Sequence, residues 1–181
     1  MTTTKPWTVE ELERNPPEGR WELVDGELVE MAPSGGEASM IGSTVGFFLN
    51  AHVRPRKLGR VYAADGGFVL IPGRELLRAP DAAFVRAERL PAGRPSAGFE
   101  RLAPDLAVEV VSPGDQPAEV AAKVADYLAA GVRLVWVLQP RPRTVTVHTP
   151  RQAPRVLAAG DELDGGDVLP EFQVAVAELF A

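Results

Sequence analysis

The chain has 181 residues, 45% of them hydrophobic and 24% charged, with a net charge of −6, the size and composition of one domain able to bury its own core. It has no cysteine, which excludes disulfide scaffolds, thiol nucleophiles, iron–sulfur clusters and cysteine-ligated zinc. With two histidines a cation would rest mainly on carboxylates, the donor set of Mg²⁺ or Mn²⁺. The first twenty residues lack the apolar stretch of a signal peptide, and no apolar run approaches the roughly 20 residues that span a bilayer. A soluble, cytoplasmic protein without membrane contact is expected.

Thr8 followed by Glu11 is a capping box opening a short helix to Glu13. Arg20–Val24 and Glu27–Met31 flank Asp25-Gly26, a strong hairpin signal. A helix is expected over 37–54, because Ile41, Val45, Phe48, Leu49 and Val53 recur at the helical period. Segments 60–64 and 67–71 read as a second hairpin around Asp65-Gly66, and 80–85 as a short strand. The Pro-, Gly- and Arg-rich stretch 88–103 reads as a mobile surface loop.

Leu106–Val111 is a nearly unbroken β-branched run, as in a strand covered on both faces. A helix over 117–130 follows, with Pro117 in its first turn and Gly131 at its end. Strands are then expected over 134–138 and 144–148, and an amphipathic end over 174–180. The order describes a single α/β domain with a mixed sheet flanked by helices and an N-terminal hairpin. Its core lies at about 20–150, with a C-terminal appendage at about 155–181. Charge is uneven: residues 54–101 carry ten basic side chains against five acidic ones in an otherwise acidic chain. That stretch is either a phosphate-facing side or scattered solvated arginines.

Three residues break local rules. Glu109 stands mid-run in the most apolar strand, on a face with Ala107 and Val111, where a carboxylate is costly unless paired or bound to a cation. Asp81 follows Pro80 at the head of another strand. Two carboxylates at neighbouring strand ends suit a divalent cation approaching a phosphate. Lys123 falls about 60° from Val120 on the helical wheel, at the margin of the buried stripe beside Tyr127. An exposed Glu119–Lys123 pair would explain it as well. Yet 16 of the 19 basic residues are arginine, so lysine is not this chain's default, and its compact ammonium suits the holding of a water.

The segments RWELVDGELVEM, APDAAFV, PDLAVEVVSPGD, KVADYLAAGV and VWVLQP, in this order, resemble the Uma family of restriction endonucleases in the PD-(D/E)XK nuclease superfamily. The resemblance covers about residues 7–150 and is most specific over 80–140. It implies a restriction endonuclease-like core in which Asp81 and Glu109 bind a metal and Lys123 completes the site. The superfamily's E-X-K pattern would place that lysine at position 111, where this chain has Val111; the family is similar in carrying it on the following helix. Glu22 matches a family acidic position in the first hairpin and is a weaker metal-side candidate. Ala38 stands where relatives often have histidine, a departure that bears on efficiency.

The implied activity is Mg²⁺- or Mn²⁺-dependent hydrolysis of DNA phosphodiester bonds. Asp81, Glu109 and the Val110 carbonyl would hold the ion, and Lys123 would position a water. Glu119 and Tyr127 would support them from behind. A homodimer is expected, because two strands need two sites. The alternatives are a non-catalytic DNA- or protein-binding module on the same scaffold, or a nuclease acting on RNA or structured DNA.

Overall fold

Helix α1 (Val9–Arg14) starts at a reciprocal cap: the Thr8 hydroxyl accepts the Glu11 N–H and the Glu11 carboxylate accepts the Thr8 N–H, both at 3.1 Å. The chain then forms β1 (Trp21–Val24) and β2 (Glu27–Glu30) in the computed structural model, which describes residues 5–90 and 96–181. Their turn has Asp25 and Gly26 both at positive φ, 51° and 87°, the geometry that makes Asp-Gly favourable between strands. A Cβ at Gly26 would also stand 2.7 Å from Pro6.

Helix α2 (Gly36–Arg56) buries Ile41, Val45, Leu49 and Val53, four of the five periodic positions. It leads into β3 (Gly59–Ala63), β4 (Phe68–Val69), β5 (Leu76–Arg78), β6 (Ala82–Arg86) and β7 (Leu106–Val110). Helix α3 (Pro117–Ala129) crosses to β8 (Leu134–Gln139), followed by β9 (Thr144–His148) and β10 (Arg155–Leu157). The chain ends in β11 (Glu162–Asp164), β12 (Gln173–Ala175) and α4 (Val176–Leu179).

Two principal sheets result. The larger has the order β10-β9-β8-β7-β6-β3, with β7 and β8 parallel and every other pair antiparallel. Helix α2 covers one face, packing Ile41, Val45 and Leu49 with Phe84, Leu106, Val108 and Trp136. Helix α3 covers the other, placing Val124 and Tyr127 with Ala83, Ala107, Val135 and Val137. The smaller sheet is antiparallel, ordered β2-β1-β5-β4. The C-terminal segment packs into the α2-side core through Leu163, Phe172, Val174 and Leu179. No helix of the described residues is long and apolar enough to cross a membrane.

Two local expectations change. Asp65-Gly66 is a turn, with the Gly66 N–H reaching the Ala63 carbonyl at 3.2 Å, but the strands around it do not pair. Strand β3 joins β6, and β4 joins β5 in the other sheet. Gly67 makes the divergence possible, since a Cβ there would stand 2.5 Å from the Phe99 ring. The stretch 88–103 is anchored where it is described. Glu100 exchanges backbone bonds with Val69 and Gly67 at 2.8 and 2.9 Å, and the Phe99 N–H donates to Glu13 at 2.7 Å. Residues 91–95 lie outside the described residues. Of the central basic residues, Arg74, Arg78, Arg86, Arg89 and Arg101 are in ion pairs with acids of this chain, so the local excess of positive charge is largely answered internally.

Candidate active site

Strand register brings the two carboxylates together. Ala82 pairs with Val108 across β6 and β7, so Asp81, one residue before β6, comes level with Glu109. The Asp81 Oδ2 accepts the Val110 N–H at 2.7 Å. Alternation along β7 sends Val108 and Val110 into the α2-side core and turns Glu109, 8% exposed, toward α3.

There α3 offers two side chains one helical turn apart. The Tyr127 hydroxyl donates to Glu109 Oε1 at 2.6 Å. The Lys123 Nζ lies 3.3 Å from Glu109 Oε2 and 3.4 Å from Glu22 Oε1. Glu22 comes from β1 in the other sheet and is 1% exposed. It accepts the Ala79 N–H at 3.0 Å and one Arg78 guanidinium N–H at 2.6 Å. The Arg78 Nε donates to Asp126 of α3 at 3.1 Å. A chain of charged contacts therefore runs Asp126–Arg78–Glu22–Lys123–Glu109 and closes on Tyr127.

Burial dominates the electrostatics. It pushes Glu109 up to about 7, against the opposing pull of the Lys123 charge and the Tyr127 hydrogen bond, while Glu22 and Asp81 add to the rise. Asp81 is also raised by burial, relieved in part by the Val110 N–H and the Lys123 charge. Burial alone would lower Lys123, but Glu109 and then Glu22 carry it above its ordinary value. Tyr127 is raised well above its ordinary value by burial and by the neighbouring Glu109. At neutral pH the arrangement is a firmly protonated lysine beside a carboxyl poised between its two states.

A cavity of about 50 Å³ opens between Glu109, Val111, Glu119 and Lys123, room for a few waters. Among the described residues no three Asp, Glu or His side chains converge to hold a metal. The hard oxygens on offer are those of Asp81 and Glu109, whose residues face each other across the neighbouring ends of β6 and β7. Mg²⁺ is commonly held by one or two carboxylates while keeping several waters, so this set fits such an ion.

Four of the six residues singled out from the sequence are in direct contact here, Glu109, Lys123, Glu22 and Tyr127; Asp81 stands beside them, tied to the Val110 N–H and within reach of the Lys123 charge. Glu119 borders the cavity, but its carboxylate accepts the Gln116 N–H at 3.3 Å and caps α3. Lys123 pairs with Glu109 and Glu22 instead. Val111 lines the cavity and gives its N–H to the Leu138 carbonyl at 2.9 Å, and Ala38 is buried in α2. Sequence reasoning missed Arg78 and Asp126. Arg78 carried a usable signal, a charge directly after Leu76-Leu77 and before Ala79-Pro80.

Over residues 8–177 the chain matches the family described as Uma2, "Putative restriction endonuclease". The chain belongs to the Uma2 family. No curated protein matches this Uma2 chain. Among solved structures it is similar to the crystal structure of a "putative nuclease belonging to DUF820" from Anabaena variabilis ATCC 29413. The TM-score is 0.82 at 23% identity, covering 97% of this chain and 98% of that one. At that identity the likeness concerns the fold, a mixed sheet flanked by helices along nearly the whole chain. Family and fold together put the Uma2 chain among restriction-endonuclease-like nucleases.

Proposed function

We propose that this Uma2 chain is a Mg²⁺- or Mn²⁺-dependent endonuclease that hydrolyses DNA phosphodiester bonds. It would act as a homodimer, one Asp81–Glu109–Lys123 site for each strand. The observation that carries the reading is the Lys123 ammonium lodged 3.3 Å from a buried strand carboxylate that is itself held near neutrality. Buried charge clusters of this kind give little net stability, and apolar replacements often fold as well. Their retention in the most apolar strand is better explained by chemistry.

Asp81 and Glu109, with the Val110 carbonyl, would hold the ion. When bound, it supplies neutralising charge at the phosphate and a lowered pKa for water. Tyr127 fixes Glu109 Oε1, leaving Oε2 toward Lys123. Lys123 donates to the attacking water and aims its oxygen at phosphorus, while Glu22 and Arg78 keep the lysine extended across the gap between the sheets. The water oxygen bonds to phosphorus as the water gives up a proton to solvent, the bond to the leaving sugar oxygen breaks, and that oxygen takes a proton from solvent. Glu109 releases its own proton as the cation arrives, so metal affinity should rise with pH.

The test is nicking of supercoiled plasmid with Mg²⁺, Mn²⁺ or chelator, using the wild type and Asp81→Asn. Metal-dependent nicking that Asp81→Asn abolishes supports the reading. Plasmid binding with no nicking under any metal would favour the binding module, and cleavage of RNA alone would move the substrate class.

A further inference from the structure

The cavity beside Glu109, about 50 Å³, is too small for the bulk of any substrate. A cleft of about 730 Å³ lies beyond Ala79, within the roughly 300–1,000 Å³ usual for ligand sites. Its walls come from both sheets: Trp21 from the smaller, Tyr62 from β3 of the larger, and Phe99 with Glu100 from the segment bridging them. Two residues connect it to the candidate active site. Ala79 lines the cleft and donates its N–H to Glu22, the carboxylate that pairs with Lys123. Arg20 lines it too, ion-paired with Asp65, and its positive charge reaches the Asp81 carboxyl.

The wall chemistry is selective. Trp21, Tyr62 and Phe99 are half-buried aromatic surfaces. The Trp21 ring is held by its N–H to the Glu18 carbonyl at 3.1 Å, and Tyr62 by edge packing on Phe68 with centroids 5.1 Å apart. Glu100 is 7% exposed and takes the Tyr62 hydroxyl on Oε1 at 3.0 Å, a buried acid for which the hydrolysis has no use. Glu13 and Asp65, also at the walls, are already paired with Arg101 and Arg20, and among the described lining residues Arg20 is the one cation a phosphate could meet. A flat ring bearing amino donors is favoured, since carboxylates accept from base amino groups and aromatics stack on base faces.

Building on the nuclease reading above, we infer that this cleft receives an unpaired nucleobase of the strand being cut, next to the scissile phosphate. The base stacks among Trp21, Tyr62 and Phe99 and offers an amino group to Glu100, while Arg20 meets the adjoining phosphate. Extruding a base from a duplex costs stacking and pairing energy, so substrates already unpaired at that point should be preferred.

The probe is an oligonucleotide with 2-aminopurine opposite the cut, as a full duplex, a one-base bulge or a single strand. It is tested with wild type, Phe99→Ala and Ala97→Trp, the last filling the cleft from an exposed wall position. The expected results are emission quenching on binding and cleavage of the bulge or single strand on the order of tenfold faster than the duplex, the scale of losing one stacked base. Both variants should remove that preference, and Ala97→Trp does so without touching the core. A change of emission on the full duplex as well, where stacking already quenches the probe, identifies a flipped base; a change confined to the other two identifies one unpaired beforehand. Equal rates on all three substrates, unchanged in Ala97→Trp, would overturn the cleft proposal and leave the nuclease intact. Quenching that Ala97→Trp removes, in a protein that cuts nothing, would keep the cleft and overturn the nuclease. No binding of any probe overturns both.

Discussion

The two faces of the six-stranded sheet are built from the same strands and both carry an apolar core, but they part company where β7 presents Glu109. On the α2 face, β7 contributes Leu106, Val108 and Val110 to a core shared with Phe84 and Trp136. Of the polar groups buried there, His52 is satisfied by the Pro170 carbonyl at 2.9 Å and packs edge-on to Phe172, while the Trp136 indole N–H has no hydrogen-bond partner among the described residues. On the α3 face the same strand contributes Ala107 and Glu109, and Glu109 leads into five further polar residues. Val108 is 0% exposed and Glu109 8%, so equal burial carries apolar packing on one side and charge on the other. Burial of apolar area drives folding, whereas buried charge costs desolvation that pairing only partly returns. Both cores supply stability, and the corner of the α3 face around Glu109 is the place where stability is given up for chemistry.

The largest expected contrast is in activity. Lys123→Ala should lower nicking by about 10²–10³-fold, the scale of one preorganised hydrogen-bond donor, while plasmid binding persists and the melting midpoint moves little, because Glu109 can take up a proton. Lys123→Arg should not restore it, since a planar fork cannot occupy the place of a compact ammonium. Nicking that survives in Lys123→Ala would remove the lysine from the mechanism.

On the opposite face, Phe84→Ala should cost about 3–5 kcal/mol as an aromatic core truncation, read from its denaturation midpoint. Its activity per folded molecule should stay near wild type. A fourth variant lies between the faces. Arg78→Met strands Glu22 without its guanidinium and should cost about 3–5 kcal/mol, as expected when one partner of a buried pair is removed. Adding Glu22→Leu should recover much of that stability but not activity, because Lys123 then loses its second partner.

A smaller effect concerns pH. Glu109 has an ordinary value of 4.5 and stands at about 7 when folded, so the native state holds its proton more tightly than the unfolded chain. That contribution to stability is complete below about 4.5 and is lost as pH rises through about 7. In metal-free buffer the stability of wild type relative to Glu109→Gln should therefore fall across that interval. A constant difference would mean that Glu109 is not held neutral by burial.

Much of this was legible in the sequence, for local reasons. Asp25-Gly26 fixed a turn and its register, the period of Ile41, Val45 and Leu49 gave α2 its buried face, and the run 106–111 marked the strand in which Glu109 is out of place. The failures were non-local. Asp65-Gly66 turns the chain as Asp-Gly does elsewhere, but only the packing of Val69 with Leu77 and Phe99 sends β4 to the other sheet. Arg78 looked like one more arginine because its partners, Glu22 and Asp126, are 56 and 48 residues away. Glu119 shows the reverse case: a carboxylate four residues before Lys123 left a surface pair open as the alternative, and the free N–H groups at the start of α3 draw it to Gln116 instead.

The most direct test of the difference between the faces is one variant measured twice. Glu109→Gln keeps the shape of the side chain and removes its charge. If that charge is kept for chemistry, the melting midpoint of Glu109→Gln at pH 8 without metal should equal or exceed that of wild type, and Mn²⁺-dependent plasmid nicking should be lost. Nicking at the wild-type rate, or a midpoint several degrees lower, would show instead that Glu109 serves the fold.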